Sequence, residues 1–229
     1  MLESLNMPLI VLASGSPRRH EMLEWTGWDF ITRPVETDES RAVSESPELY
    51  VSRLAETKAR AAVHSLNKMG AADLILAADT TVADENRVLG KPLDEADARQ
   101  MLLYLRDRSH EVFTALAIYR VSDHRWFFDR CHTLVAMRDY SDEEIEAYVL
   151  SGDPMDKAGA YAIQNKTFHP VTGFNGCFAN VMGLPLCHLV RMMKKIGIVA
   201  PVETALSCQK HLDYDCPVTR DVLAGLDVG

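Results

Sequence analysis

Apolar residues fall in short bursts that alternate with amphipathic stretches. Leu9-Ile10-Val11-Leu12-Ala13 is a continuous apolar run of buried-strand length, followed by the turn signal Ser14-Gly15-Ser16. Pro17 then stands at a first helical position, opening a helix that reaches Trp25 and closes at Gly27. Phe30 to Pro34 reads as a second strand. Ser46-Pro47 caps and opens a long helix that the periodicity carries to Lys68, with a stop at Gly70. Leu74 to Ala78 is another buried strand, ending at Asp79, and Val82 to Leu89 reads as a hairpin around Glu85-Asn86.

Further along, Asp94 caps a helix through Arg106. Glu111 to Val121 and Arg125 to Val135 form long antiparallel strands turning at Ser122-Asp123-His124. Ser141 with Glu144 spells a capping box for a helix ending at Gly152. Tyr161 to Gln164 is expected as a strand, and Pro185 opens a last strong helix ending near Gly197. The tail after Pro201 has weaker periodicity and is expected to lie over the surface. Interleaved helices and strands without a repeat give an α/β class: a mixed, twisted sheet flanked by helices.

Composition narrows the function classes. The 229 residues include 24 Lys and Arg against 33 Asp and Glu, a formal charge of −9. Binders of nucleic acid or of anionic membranes are usually basic, so neither partner is expected. The longest early apolar run is too short for a membrane span or a signal-peptide core. Five cysteines, Cys131, Cys177, Cys187, Cys208 and Cys216, form no C-x-x-C pair and resemble no zinc site. A reduced cytoplasmic protein is the expectation.

Several segments could carry chemistry, each with a plainer reading beside it. Ser14-Gly15-Ser16-Pro17-Arg18-Arg19 brings helix-start N–H groups, two hydroxyls and two guanidiniums together, which suits an anion; a capped helix with solvated arginines is the alternative. Asp79-Thr80 follows a buried strand, where ligands of open α/β sheets bind, yet an Asp there also simply begins a turn. Lys58 falls on the helix face shared by Val51, Leu54, Ala55 and Ala62; it either snorkels or points into an anion-binding cleft. Gly90-Lys91-Pro92 is not a P-loop, because Glu85 and Pro92 break that pattern; Lys91 could still reach a phosphate, or be an exposed loop lysine. Glu36, Asp38 and Glu39 suit Mg²⁺, though a solvated acidic loop has the same composition.

Taken together, these motifs resemble one family. Ser14 to Arg19, Arg53-Leu54-Ala55 with Lys58-Ala59, Ala78-Asp79-Thr80, Leu89 to Pro92, Asp156 to Gln164 and Asn180 to Leu186 stand in the order seen in Maf proteins, over roughly residues 8–197. The resemblance implies a single domain over 1–200, similar in fold to inosine-triphosphate pyrophosphatases, with an uncovered extension over 201–229. It implies a nucleoside triphosphate pyrophosphatase that uses a divalent metal, Mg²⁺ or Mn²⁺, and a homodimer is a family-level expectation. Asp79 would be the general base and lie near the metal with Glu39. Ser14, Ser16, Arg19, Lys58 and Lys91 would hold the phosphates. Arg18, Thr80 and Gln164 match the set of the dTTP/UTP branch; Thr80 and Gln164 can hydrogen-bond a pyrimidine edge. Two places depart from the family pattern near the expected base pocket. Asn165 follows Gln164 where Gly is usual, and Gly176-Cys177-Phe178-Ala179 replaces Gly-Asp-Tyr-Ser. The rival expectation is a nucleotide-binding regulator of cell division or septum formation without turnover. An aspartyl-phosphate phosphatase is disfavoured, because Ala77-Ala78-Asp79-Thr80 lacks Asp-x-Asp.

Overall fold

A computed structural model describes residues 7–65, 72–226 and 228. The first strand, β1 (Ile10–Leu12), is wholly buried and leads through the 13–16 turn into α1 (Pro17–Glu24). Ser16 caps that helix, its hydroxyl accepting the N–H of Arg19. Gly27 adopts φ 71° and returns the chain into β2 (Phe30–Thr32). Ser46 caps α2 (Pro47–His64), whose buried stripe is Val51, Leu54, Ala55, Ala59 and Ala62. Lys68 and Gly70, where the periodicity placed its end, lie outside the described residues.

Next come β3 (Leu74–Asp84), β4 (Arg87–Leu89), α3 (Glu95–Leu105), β5 (Ser109–Arg120), β6 (Arg125–Met137) and α4 (Asp142–Leu150). The caps Asp94 and Ser141 and the Ser141–Glu144 capping box stand as the sequence predicts. Two expectations are corrected. β3 does not end at Asp79 but runs five residues further, because Thr80 to Ala83 keep pairing with β5 through the register Thr80↔Thr114 to Ala83↔Glu111. Tyr161 to Gln164 is not a strand: it follows a short 3₁₀ turn (Ala158–Ala160) and has no strand partner, its backbone serving local turns. The last strand is instead β7 (Val171–Asn175), followed by α5 (Phe178–Met182) and α6 (Leu186–Lys195).

Among the described residues the strands form one sheet in the order β2-β1-β3-β5-β6-β7, with β4 also on β3. β1 runs parallel to β2 and β3, and the remaining pairs are antiparallel. The edges of β3 explain where a ligand can enter. One edge is covered by β5 from Leu74 to Ala83. The other meets β1 at Leu74 to Leu76 and β4 at Val82 to Asp84. Between them the edge from Ala77 to Thr81 has no strand beside it, and Asp79 and Thr80 sit in that gap.

Alternation along β3 sends its side chains to two cores. Ile75, Ala77 and Ala83 join Val11, Val51, Ala55 and Phe113 under α2. Leu74, Leu76 and Ala78 join Ile10, Met22, Leu189 and Met192 under α1 and α6. A third cluster, built on Leu102, Val135, Tyr140 and Val149, lies under α3 and α4. The segment beyond Pro201 forms α7 (Thr204–Leu212) and α8 (Thr219–Leu223), which pack on α6 and bury Cys208 and Val222. No described helix is long and apolar enough to cross a membrane.

Candidate functional site

The sheet gap opens into a cleft of about 400 Å³. Its walls include every site residue expected from the sequence: Ser14, Ser16, Arg18, Arg19, Glu39, Lys58, Asp79, Thr80, Lys91 and Gln164. Glu36 and Asp38 are not among its lining residues; Asp38 instead accepts the N–H of Ser40.

Asp79 and Thr80 are neighbours on β3 and therefore point to opposite faces of the sheet. On the α2 face, Lys58 reaches Asp79 with its Nζ 2.5 Å from Oδ1. The same ammonium lies 2.7 Å from Glu39 Oε1. Lys58 thus does not snorkel outward; it bridges two carboxylates from inside an apolar helix face. Burial raises the pKa of Asp79 above the usual carboxylate range, with Lys58 and Arg19 pulling it back only in part. Tyr50, which the sequence reading did not single out, fixes the acidic loop by donating its hydroxyl to the Glu39 carbonyl at 2.7 Å.

On the opposite face Arg19 is held by three acceptors. Its Nε donates to the Gly183 carbonyl (2.8 Å), Nη1 to Ser14 Oγ (3.3 Å) and Nη2 to Thr80 Oγ1 (2.9 Å). Burial lowers its pKa, and the Asp79 charge offsets that only in part. Ser14 and Ser16 already have partners: Ser14 Oγ also accepts the Ser16 N–H, and Ser16 caps α1. Both hydroxyls act there as acceptors, so their protons, with the backbone turn, remain on the cleft wall. Gly183, at φ 111°, ends α5, and a Cβ there would stand 3.3 Å from Thr80 Oγ1 and 3.5 Å from Arg19 Nε.

The far wall is a tight turn. Arg18 pairs with Asp156 at 3.1 Å. Lys157 is consumed internally, donating to the Asp153 carbonyl (2.5 Å), Asp153 Oδ1 (3.0 Å) and Asp156 Oδ1 (2.6 Å). Asn165, one of the expected departures, is a turn residue: Nδ2 donates to Asp153, and Oδ1 accepts from the N–H groups of Thr167 and Phe168. Among the described residues Lys91 and Gln164 make no side-chain hydrogen bond, which leaves both for a ligand.

The donor set can be tested against a divalent metal. No three His, Cys, Asp or Glu side chains gather for one among the described residues. Asp79 and Glu39 do converge, each within salt-bridge distance of the same ammonium. Two carboxylates without a closed protein cage fit a hard cation that completes its shell with phosphate oxygens and water, as Mg²⁺ does.

Asp79, Lys58, Arg19 and the Gly90-Lys91 loop converge on one cleft. Residues 9–196 match the family model described as Maf-like protein. The chain belongs to the Maf family. A relative from Dehalococcoides mccartyi, named dTTP/UTP pyrophosphatase, is 39% identical over 195 residues, 85% of this chain and 85% of its own. One of the same name from Citrifermentans bemidjiense is 43% identical over 188 residues, 82% of this chain and 95% of its own. A third, also so named, from Bacillus cereus is 41% identical over 196 residues, 86% and 94%. Helices α7 and α8 lie beyond the span matched to the Maf model. The Maf cleft also includes Asp156, quoted above only as part of a motif. Gly183 likewise stood in a motif without a role, and Thr114, buried behind the cleft with its hydroxyl 2.9 Å from that of Thr80, carried no sequence signal.

Proposed function

We propose that this Maf protein hydrolyses dTTP and UTP to the nucleoside monophosphate and pyrophosphate. The observation that carries the reading is the buried Asp79–Lys58 pair at 2.5 Å, set in a sheet gap with Arg19, Arg18 and Lys91 on the same cleft. The names and the overlap of the relatives support the choice of substrate.

The chemistry follows from charge and placement. A triphosphate resists attack because its oxygens repel a nucleophile, so a site must neutralise them and hold them in line. Arg19 and Lys91 supply positive charge to the phosphates, and Arg18 with Gln164 faces the remainder of the nucleotide. Asp79 is an oriented base: Lys58 fixes one oxygen, and burial raises its proton affinity. It takes a proton as a water oxygen bonds to the α-phosphorus and the bond to the bridging oxygen breaks, releasing pyrophosphate. Asp79 and Glu39 would hold Mg²⁺ or Mn²⁺, which when bound supplies charge neutralisation at the phosphate oxygens. Thr80 is less free to read a base than its residue type suggests, since its hydroxyl is already engaged on both sides.

Turnover calls for a base beside the phosphate-binding cations, and the presence of Asp79 on the same cleft as Arg19 and Lys91 supports that reading; a regulator that merely binds nucleotide has no need of one. The reading places the protein in the cytoplasm with the nucleotide pool, as a homodimer that sedimentation would reveal. The test is incubation with a panel of nucleoside triphosphates and Mg²⁺ or Mn²⁺. The expected products are pyrophosphate and monophosphate from dTTP and UTP, absent in Asp79→Asn. Release of single phosphate, or equal turnover by Asp79→Asn, overturns it.

A further inference from the structure

We infer that Thr80, Thr114 and Asn180 form a one-directional hydrogen-bond relay whose task is to aim Arg19 at the phosphates, which makes Thr114 and Asn180 positioning residues of the reaction. The inference rests on the proposed triphosphate hydrolysis for its kinetic consequence, but its geometry stands apart from it.

The direction of each bond can be worked out. Thr114 Oγ1 lies 2.9 Å from the Asn180 carbonyl oxygen, which can only accept. The one Thr114 proton is therefore spent there. Thr114 and Thr80 are cross-strand partners with hydroxyls 2.9 Å apart. With its own proton committed, Thr114 must accept, so Thr80 donates to it. Thr80 in turn has only lone pairs left for Arg19 Nη2, which donates at 2.9 Å. The chain runs Arg19 to Thr80 to Thr114 to the Asn180 carbonyl, every hydroxyl serving once as donor and once as acceptor.

The far end of the relay is anchored. Asn180 is fully buried, and its Nδ2 donates to the Val112 carbonyl and to Thr133 Oγ1, each at 2.9 Å. This ties α5 to β5 and β6 independently of any ligand. Three residues on, the Gly183 carbonyl accepts Arg19 Nε. One short helix thus fixes two sides of the guanidinium, directly through Gly183 and through the relay from Asn180. Ser14 takes an N–H on the third side. Of the five N–H groups of an arginine, one on each terminal nitrogen remains, which is the pair a bidentate grip on phosphate oxygens uses.

A relay predicts coupling, which mere core packing does not. Thr114 is fully buried and valine matches its shape, so Thr114→Val removes the hydroxyl and leaves the volume. It also frees the Thr80 proton to turn toward Arg19, where it opposes the Nη2 N–H. Two readouts are measured in a cycle with Arg19→Lys: kcat/KM for dTTP, and the Kd of inorganic triphosphate with Mg²⁺ by calorimetry. Thr114→Val is expected to lower kcat/KM and triphosphate affinity by about tenfold, the scale of one charged hydrogen bond. Thr114→Ser is expected to recover most of that loss. In the Arg19→Lys background the same Thr114→Val change is expected to cost less than about twofold, because the group it aims is gone. Thr80→Val, at a partly exposed site, gives the same pattern should Thr114→Val not fold. Equal losses in both backgrounds, or no loss in the wild-type background, overturn the relay. Coupling in triphosphate affinity from a protein that does not turn over dTTP sustains the relay and overturns the reaction. A wild-type protein that neither binds nor hydrolyses overturns both.

Discussion

At the scale of single residues, the site is a set of polar groups in places where burial makes each of them consequential. Asp79 is 6% exposed, and burial raises its pKa while Lys58 and Arg19 oppose that shift in part. Replacing it with Asn keeps the shape and removes the base. Asp79→Asn is expected to lower kcat by roughly 10²–10⁴-fold, measured as pyrophosphate release at saturating metal and substrate. A second buried group sets a pH response. His110 is 1% exposed and its Nε2 lies 2.8 Å from the Tyr161 hydroxyl, behind the cleft wall. Burial lowers its pKa from 6.5 to about 4. The unfolded chain therefore takes up a proton below pH 6.5 that the folded chain refuses until about pH 4. Stability falls as pH drops through that window, by about 2 kcal/mol on reaching pH 4.5. Denaturant titrations of wild type and His110→Phe at pH 7 and 4.5 should show this extra loss in the wild type alone.

At the scale of elements, the gap beside β3 is shaped by short turns with little room. Gly159 has φ 69°, donates its N–H to the Gly90 carbonyl at 3.0 Å, and would bring a Cβ to 3.0 Å from a Val82 methyl. It joins the segment carrying Gln164 to the loop carrying Lys91. Gly159→Ala is expected to lose about 1–3 kcal/mol of stability and to raise KM, since both walls shift. Thermal denaturation alongside steady-state kinetics checks the pair; a stable variant with unchanged KM removes this turn from the site. Most elements were legible because their signals are local. Ser16-Pro17, Ser46-Pro47, Asp94 and Ser141 with Glu144 announce helix starts within four residues. The continuation of β3 past Asp79 was not legible, because it depends on β5 pairing from 34 residues away at Thr114. β7, with exposed Thr172, Gly173 and Asn175, has no apolar alternation to find. Among site residues, cations and acids were readable by type. Thr114 was not, since a buried threonine in a strand looks like any other until its cross-strand neighbour is known.

At the scale of the molecule, the cleft belongs to the segment from Ala13 to Gly183, whereas the extension works at a distance from it. The weak periodicity beyond Pro201 arises because α7 and α8 bury only part of one face each. That face is nonetheless specific. Cys208 enters the core under α6, His211 stacks on Trp25 at 4.6 Å, and Tyr214 packs against Phe174 and Phe178 at 5.1 and 5.7 Å. Phe178 opens α5, the helix that holds Arg19 through Gly183. The extension therefore braces the outer side of an element whose inner side serves the site. Two outcomes would separate bracing from participation. Truncation after Ala200 is expected to lower Tm on the order of 10 °C, the effect of uncovering several apolar side chains in a protein this size. At 25 °C, where the remainder stays folded, kcat/KM for dTTP is expected to stay within about threefold, because α5 is still anchored by the buried Asn180 to Val112 and Thr133. Activity should then fail on heating in step with unfolding. A truncated protein that keeps its circular dichroism at 25 °C but loses kcat/KM by far more would mean that α5 needs its outer brace to hold Arg19. The relay from Asn180 would then be an insufficient anchor on its own.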